Sequence, residues 1–581
     1  MNGLLDPASS SGDGETAGWP MRAWGLTVLG ALAGLAIYWI VQPDRLADRS
    51  SGMEVRTAIA TFLGAGALLF AFLVERSRHG LNLAFAAIGA AVVALTIYWN
   101  GPFGSTANEE PWRIVCALLS LAIGAPLFQA WRDARAQGDT PRHAIPYRDA
   151  HQNAWTNVVL WFAAWTFVGV TWAMVLLLGA LFRLIGIDLI HDLLNETWAV
   201  LTLTGGALGA GIALLRDRDA ILRLLQRVVT TVLAVLAPVL ALGLVIFLVA
   251  TVFTGLDPLW DATRSTSPIL LGCVIGALCL ANAVIGDAPP EEARHPALRA
   301  GVAGLSLSML PLGVIAAIST GLRIQQYGLT PDRLWAVVFT VIACAYGIAY
   351  LFVLLRWRQA AGPHFRVANL RLAIGLAVLA LFLSTPVVNF GALSTNNQLL
   401  RLKTGKTPPE LFDWAALRFD FGPTGVAATR SLAKNGPTPA IRAAATKAMA
   451  TQNRWQMDSL PIERRNKPIE ADRLTVLPRG TQLPVELHAQ LPEYNACFTS
   501  GPCVVVHEPG SDEAIIANGY RANVWKKGKA GWEYAPGNRP ASVAGRNDQI
   551  EAGLKAGKVE VRSVTHRQIF VDGLPLGESF E

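Results

Sequence analysis

Ser384–Phe421 reads STPVVNFGALSTNNQLLRLKTGKTPPELFDWAALRFDF and divides the chain into two chemistries. Its first residues close the last long apolar run, and the remainder is charged, helix-like and soluble in character. The residues before it suit lipid, and those after it suit water. Lysine marks the same division. None occurs before Lys403 and ten stand from there to the end, so arginine alone supplies positive charge to the first part.

The 581 residues are 52% hydrophobic and only 16% charged, against about 25% charged in a soluble domain. That balance predicts a membrane protein. Residues 391–581 hold 24 Lys+Arg against 19 Asp+Glu, an excess too small and scattered for a nucleic-acid surface. The first 21 residues are polar, with Asp6, Asp13 and Glu15, and lack the apolar core and cleavage site of a signal peptide. They are expected to form a disordered tail, with the first apolar run as an uncleaved anchor.

A bilayer core about 30 Å thick takes roughly 20 mostly apolar residues as a helix. Eleven runs meet that need: Trp24–Val41, Ala58–Val74, Leu81–Tyr98, Ile114–Phe128, Val158–Phe182, Trp198–Leu215, Val228–Phe253, Pro268–Ile285, Ala300–Ser319, Leu334–Leu355 and Leu372–Phe390. They predict a transmembrane domain over residues 22–390. The fourth run is the shortest and contains Pro126, which predicts a short or re-entrant segment, while Pro238 and Pro311 predict kinks. Tyr38-Trp39, Tyr98-Trp99, Trp198 and Trp335 stand at run ends, where amphipathic rings meet headgroups.

Loop arginines set the orientation. Loops on the N-terminal side hold 16 and the opposite loops 8, which predicts a cytoplasmic N-terminus. An odd number of spans then puts the C-terminal region in the periplasm. Phe182–Trp198 (FRLIGIDLIHDLLNETW) has the pattern of an amphipathic helix on the far membrane surface. Arg216–Arg227 (RDRDAILRLLQR) is its expected cytoplasmic counterpart, with Arg216, Arg218, Arg223 and Arg227 anchoring to anionic headgroups, so membrane lipids are expected partners.

No Asp, Glu, Lys or Arg lies at the centre of any run, which argues against proton- or sodium-coupled transport. Gly205-Gly206 with Gly209, and Gly64-Ala65-Gly66, read as close helix packing.

Past the junction, Pro408–Phe419, Val426–Ala433 and Pro439–Thr451 are expected helices in a juxtamembrane segment, 391–455. A polar linker, 456–480, leads to a small β-rich module, 481–581, with strands expected at Cys503–His507, Ala514–Ala517, Asn523–Lys526, Val559–Val564 and Gln568–Val571. Asp572-Gly573 is a hairpin signal. The fold class is therefore an α-helical polytopic membrane protein with about eleven transmembrane helices and a C-terminal soluble α+β region.

Cys116, Cys273, Cys279 and Cys344 lie in apolar runs and read as buried small hydrophobes. Cys497 and Cys503 flank Phe-Thr-Ser-Gly-Pro in the part placed outside the cytoplasm, and predict a disulfide. His507 adds a third ligand type but no fourth, so no metal site is expected. His507–Glu513 (HEPGSDE) reads as a solvated turn rather than a calcium loop, because Pro509 and Gly510 interrupt the carboxylate spacing. His143, His151 and His191 fall in different loops. There is no phosphate loop, nucleophile elbow or metalloprotease helix. No cofactor is expected, and no catalytic residues can be assigned.

Pro386…Asn389, Asn397-Gln398, Arg401-Leu402, Gly405, Pro408-Pro409, Phe412-Asp413 and Leu417-Arg418-Phe419-Asp420 resemble the end of the bacterial domain of unknown function 4153 family. Trp155-Thr156-Asn157 and the Arg216–Arg227 loop extend the resemblance, which covers roughly residues 150–435. It implies a polytopic inner-membrane protein and supplies no catalytic residues.

The residues favour a non-enzymatic envelope scaffold or accessory factor with a protein partner. A membrane glycosyltransferase-like enzyme acting on lipid-linked substrates is the alternative, with Asp44, Asp48 and Glu54 as its acidic loop, although Arg45, Arg49 and Arg56 offer ion pairs there. An uncoupled channel or carrier is a third class. Oligomeric state has no signal in the sequence.

Overall fold

A computed structural model describes residues 20–42, 52–75, 78–101, 111–137, 144–256, 266–288, 295–451, 454, 457, 474–491, 503–518, 521–528, 531–535, 567–571 and 574–580. The chain forms two units, Met1–Gln398 with Phe421–Pro423, and Leu399–Asp420 with Thr424–Glu581.

Helices α1 (Pro20–Val41), α2 (Met53–Leu73), α3 (His79–Asn100), α4 (Pro111–Gln137) and α5 (Tyr147–Leu184) open the first unit. A short α6 (Leu189–Asn195) precedes α7 (Thr197–Arg216), α8 (Asp219–Thr254), α9 (Thr266–Ile285), α10 (Pro296–Tyr327), α11 (Pro331–Trp357) and α12 (Ala361–Ser384). Among the described residues, eleven of these, all but α6, are long and apolar enough to cross a membrane. The protein is a multi-pass α-helical membrane protein. Apolar side chains at its outer surface, such as Phe253 and Leu177, are the normal state of helices that face lipid tails instead of water.

The core lies where α8–α12 meet, around Leu305, Met309, Leu312, Ala277, Ala281 and Tyr350. A second cluster joins α1, α2, α5 and α7 through Leu26, Ala71, Leu160, Ala164 and Ile212. Small residues set the closest approaches. A Cβ at Gly30 or Gly34 of α1 would overlap the carbonyl oxygens of Gly205 and Leu201 on α7, so these helices cross backbone to backbone. Gly301 of α10 sits against the backbone of Pro238 in α8 in the same way.

Several segments differ from expectation. The fourth run is neither short nor re-entrant: α4 continues for 27 residues through Pro126, because neighbouring helices support a proline within a membrane helix. Arg216–Arg227 is not a separate surface helix. Arg216 ends α7, and Asp219–Arg227 is the start of the 36-residue α8. Its straight-chain residues are good helix formers, so the helix continues beyond the apolar stretch. The surface helix expected over Phe182–Trp198 shrinks to α6, since α5 already runs to Leu184. The last apolar run ends at Ser384 rather than Phe390. Pro386 interrupts it, and α13 (Phe390–Lys403) begins afresh with the Asn389 side chain accepting from the Ala392 N–H at 2.8 Å.

The second unit starts within α13. Pro408–Phe419 is not the expected regular helix: it runs as turns up to Asp413, then a short helical stretch with a π turn over Ala416–Asp420. Trp414 Nε1 donates to the Pro409 carbonyl at 3.0 Å, which holds the two prolines in a turn instead of a first helical turn. Helix α14 (Gly422–Asn435) contains the expected Val426–Ala433, and α15 (Pro439–Ala450) matches the expected Pro439–Thr451 to within its last residue. Strand β1 (Leu474–Leu477) lies inside the stretch read as linker, and the short α16 (Val485–Gln490) follows it. Then come β2 (Cys503–Val506), β3 (Glu513–Asn518), β4 (Arg521–Gly528) and β5 (Gly531–Ala535), and finally β6 (Arg567–Val571) and β7 (Leu574–Phe580).

The sheet order is β1-β2-β3-β4-β5, with β1 parallel to β2 and the other pairs antiparallel. Trp525, Trp532, Val505, Ile516, Leu487 and Leu491 fill its core. Strands β6 and β7 pair antiparallel, with Val571 opposite Leu574. The expected strand Val559–Val564 and the Asp572-Gly573 turn itself lie outside the described residues.

Candidate functional site

Helix ends leave their last carbonyls without partners. In lipid that cost has to be met by other parts of the protein. Buried polar side chains at one end of the first unit do so. At the end of α2, Arg216 donates to the Ala71 and Phe72 carbonyls (3.1 and 2.8 Å), and Gln129 to Phe72 (3.1 Å). Asn157, within the Trp155–Asn157 stretch, in turn holds Gln129 at 2.9 Å. Arg132, only 2% exposed, donates to the Leu73 carbonyl at 3.0 Å and to Asn82 Oδ1 at 2.8 Å, and pairs with Glu75 and Asp133 at 2.7 Å each. Arginine suits this place because its fork serves several acceptors at once.

The same device closes α9. Gly286, at φ +65°, lets the chain turn out of the helix. Arg366 of α12 donates to the carbonyls of Ile285 (3.0 Å) and Gly286 (3.4 Å). One turn further along α12, Asn369 joins Asn282 of α9 and Tyr350 of α11. This fixes the next residue, Asp287, inside the bundle end at 4% exposure. Its Oδ2 accepts from Gln152 Nε2 and pairs with the exposed Arg148 at 3.5 Å. Its Oδ1 is buried and accepts no hydrogen bond from any described residue.

Asp287 lines a cavity of about 730 Å³ between α5, α8, α9 and α10. On the α5 side stand His151, Gln152, Asn153 and Thr156. His151 Nδ1 meets the Tyr147 hydroxyl at 3.1 Å. On the α8 side, Arg223, Gln226, Arg227, Thr230 and Ala234 follow at helical spacing along one face, charged at the start and apolar further in. The site therefore offers two cations, one buried carboxylate and an apolar floor.

Of the four arginines expected at the membrane surface, Arg223 and Arg227 are exposed and line this cavity, and Arg218 is exposed at the start of α8. Arg216 is committed to the end of α2. The junction residues fall elsewhere and act as clamps. Asn397 Oδ1 accepts from the Leu329 N–H (2.9 Å), and Gln398 donates to the Tyr327 and Leu329 carbonyls (2.9 and 3.0 Å), which secures the α10–α11 turn. In the second unit Phe412 is buried against Trp414, and Asp413 Oδ1 accepts from the Ala416 N–H at 2.9 Å. Arg418 lies 5.0 Å over the Phe419 ring, and Asp420 takes three bonds from Arg454 at 2.8–3.2 Å.

These clamps and the cavity fall within one stretch of sequence. The family model described as domain of unknown function (DUF4153) matches residues 58–432. The chain belongs to the DUF4153 family. No curated protein and no solved structure matches it. The DUF4153 match starts well before residue 150, where the resemblance in the sequence starts, and takes in all the clamps named above except Arg454. Strands β1–β7 lie beyond the DUF4153 match.

Sequence reasoning missed Asp287, Arg366 and Arg132. Each sits beside an apolar run, and nothing local separates it from an ordinary loop charge. The four cysteines in the helices are free, with Cys116 buried and Cys279 exposed. Cys503 is buried in β2, whereas Cys497, Asp44, Asp48 and His143 lie outside the described residues. His507 is buried beside Trp532, its Nδ1 3.1 Å from the Glu513 carbonyl, as a core histidine would be.

Proposed function

We propose that this protein is a non-enzymatic inner-membrane scaffold or accessory factor whose C-terminal module binds a protein partner in the envelope. The observation that carries the reading is the use of the inward polar side chains. Arg132, Arg216, Arg366 and Gln398 all donate to backbone carbonyls at helix ends. Such bonds stiffen a bundle, and a stiff bundle suits a platform. The arginine bias of 16 to 8 supports a cytoplasmic N-terminus. Eleven helices long and apolar enough to cross a membrane, an odd number, support a periplasmic module, where a Cys497–Cys503 disulfide would form and persist.

Purification from native membranes in several mild detergents tests the proposal. The expected result is a stoichiometric partner that is lost when residues 474–581 are deleted. A chain that emerges alone from every detergent overturns it.

A second reading is an enzyme acting on lipid-linked substrates, with Asp44 and Asp48 as its acids. That reading expects acidic residues in the first outer loop, so a chain carrying Asp44→Asn with Asp48→Asn should fail to complement the envelope phenotype of a deletion. Full complementation by the double variant excludes it.

A further inference from the structure

We infer that the cavity between α5, α8, α9 and α10 binds a headgroup carrying both a phosphate and a primary ammonium, the chemistry of phosphoethanolamine. This inference stands independently of the scaffold reading. It rests on opposite charges built into one cavity.

Arg223 and Arg227 line it four residues apart on α8, both exposed and neither paired with a described residue. Guanidinium groups on one helix face match a phosphate, which accepts two parallel N–H bonds from each fork. Gln226 and Thr230, on the same face, add neutral polar groups. Arginines alone would accept any anionic headgroup.

Asp287 narrows the choice. It lines the same cavity, with Oδ2 held by Gln152 and Arg148 and the buried Oδ1 lacking a donor among the described residues. A buried acceptor without a donor is costly until one arrives. A purely anionic ligand brings no donor and is repelled by the carboxylate. A primary ammonium brings three N–H donors and the opposite charge, whereas a trimethylated ammonium has no N–H to give. Further along α8, Ala234 and Val235 make an apolar wall, and Leu222 and Leu298 add apolar lining that suits the glycerol and first acyl carbons. The helix ends around it place the charges at headgroup level, where a lipid is the nearest source of this chemistry.

The test uses the full-length chain in detergent micelles. Phosphatidylethanolamine, phosphatidylcholine or phosphatidylglycerol is titrated in, and binding is followed by thermal unfolding. Free phosphoethanolamine runs in parallel to separate a lipid from a soluble source. The expected result is roughly tenfold tighter binding of phosphatidylethanolamine than of phosphatidylcholine, the size of one charge-assisted hydrogen bond. Arg223→Gln with Arg227→Gln should abolish that binding. Asp287→Asn should erase the preference and admit phosphatidylglycerol.

Equal binding of the three lipids by the unmodified protein, or a preference for phosphatidylglycerol, overturns the inference. So does a preference that survives the double arginine substitution, or no response to any of the four ligands. A full response to free phosphoethanolamine alone keeps the chemistry and assigns it to a soluble ligand. If Asp287→Asn fails to fold, the two exposed arginines decide the matter.

Discussion

The Tyr350 hydroxyl donates to Asn369 Oδ1 at 2.8 Å, and Asn369 Nδ2 donates onward to Asn282 Oδ1 at 2.5 Å. Three helices, α9, α11 and α12, are tied by this one buried chain. Asn369→Ala strands a polar atom on each neighbour and should destabilise the protein by about 1–3 kcal/mol. Tyr350→Phe removes one donor and should cost about 0.6 kcal/mol, the mean for a hydrogen bond between membrane helices. Unfolding titrations in mixed detergent measure both, and a larger loss for Tyr350→Phe would contradict the chain.

Arg132 serves α2, α3 and its own helix α4 from a position that is 2% exposed. Arg132→Ala leaves the Leu73 carbonyl and Asn82 Oδ1 without this donor, and should cost about 1–3 kcal/mol. Arg132→Lys should recover only part of this, because one ammonium cannot reproduce the fork. Equal stability of the lysine variant and the unmodified protein would refute that assignment.

Glycine substitutions separate packing from propensity. Gly205→Ala places a methyl group against the Gly30 carbonyl oxygen of α1, and overpacking of this kind costs about 1–3 kcal/mol. Gly243→Ala, on α8, meets nothing within 4 Å and should stabilise the helix by about 0.5–1 kcal/mol. Thermal melts of the two variants should therefore move in opposite directions.

The side on which the module lies can be read from its cysteines. With Cys116, Cys273, Cys279 and Cys344 replaced by serine, an impermeant thiol reagent on intact spheroplasts should label Cys497 only after reduction, while Cys503, buried in β2, stays protected. Labelling that requires lysis would place the module in the cytoplasm, and the proposed disulfide and envelope partner would fall with it.

The number of crossing helices was legible because each apolar run reports its own transfer from water to lipid. Their limits were less so. α5 and α8 reach 38 and 36 residues, since helix-forming charged residues extend a helix past its apolar stretch. Pro126 misled because its cost depends on neighbours that no single run reveals. β1 was missed because four residues of Leu-Thr-Val-Leu become a strand only beside β2.

By itself, the sequence determined that this is a multi-pass helical membrane protein with a C-terminal region that contains strands. Burial of apolar surface is summed along a continuous segment, so local composition suffices for that conclusion. The tertiary structure alone decided which charges are buried and what they meet. Arg132 bonds to a residue 59 positions away, and Asp287 to one 135 away. A hydrogen bond needs its partners within about 3 Å, and only helix packing brings such distant residues that close.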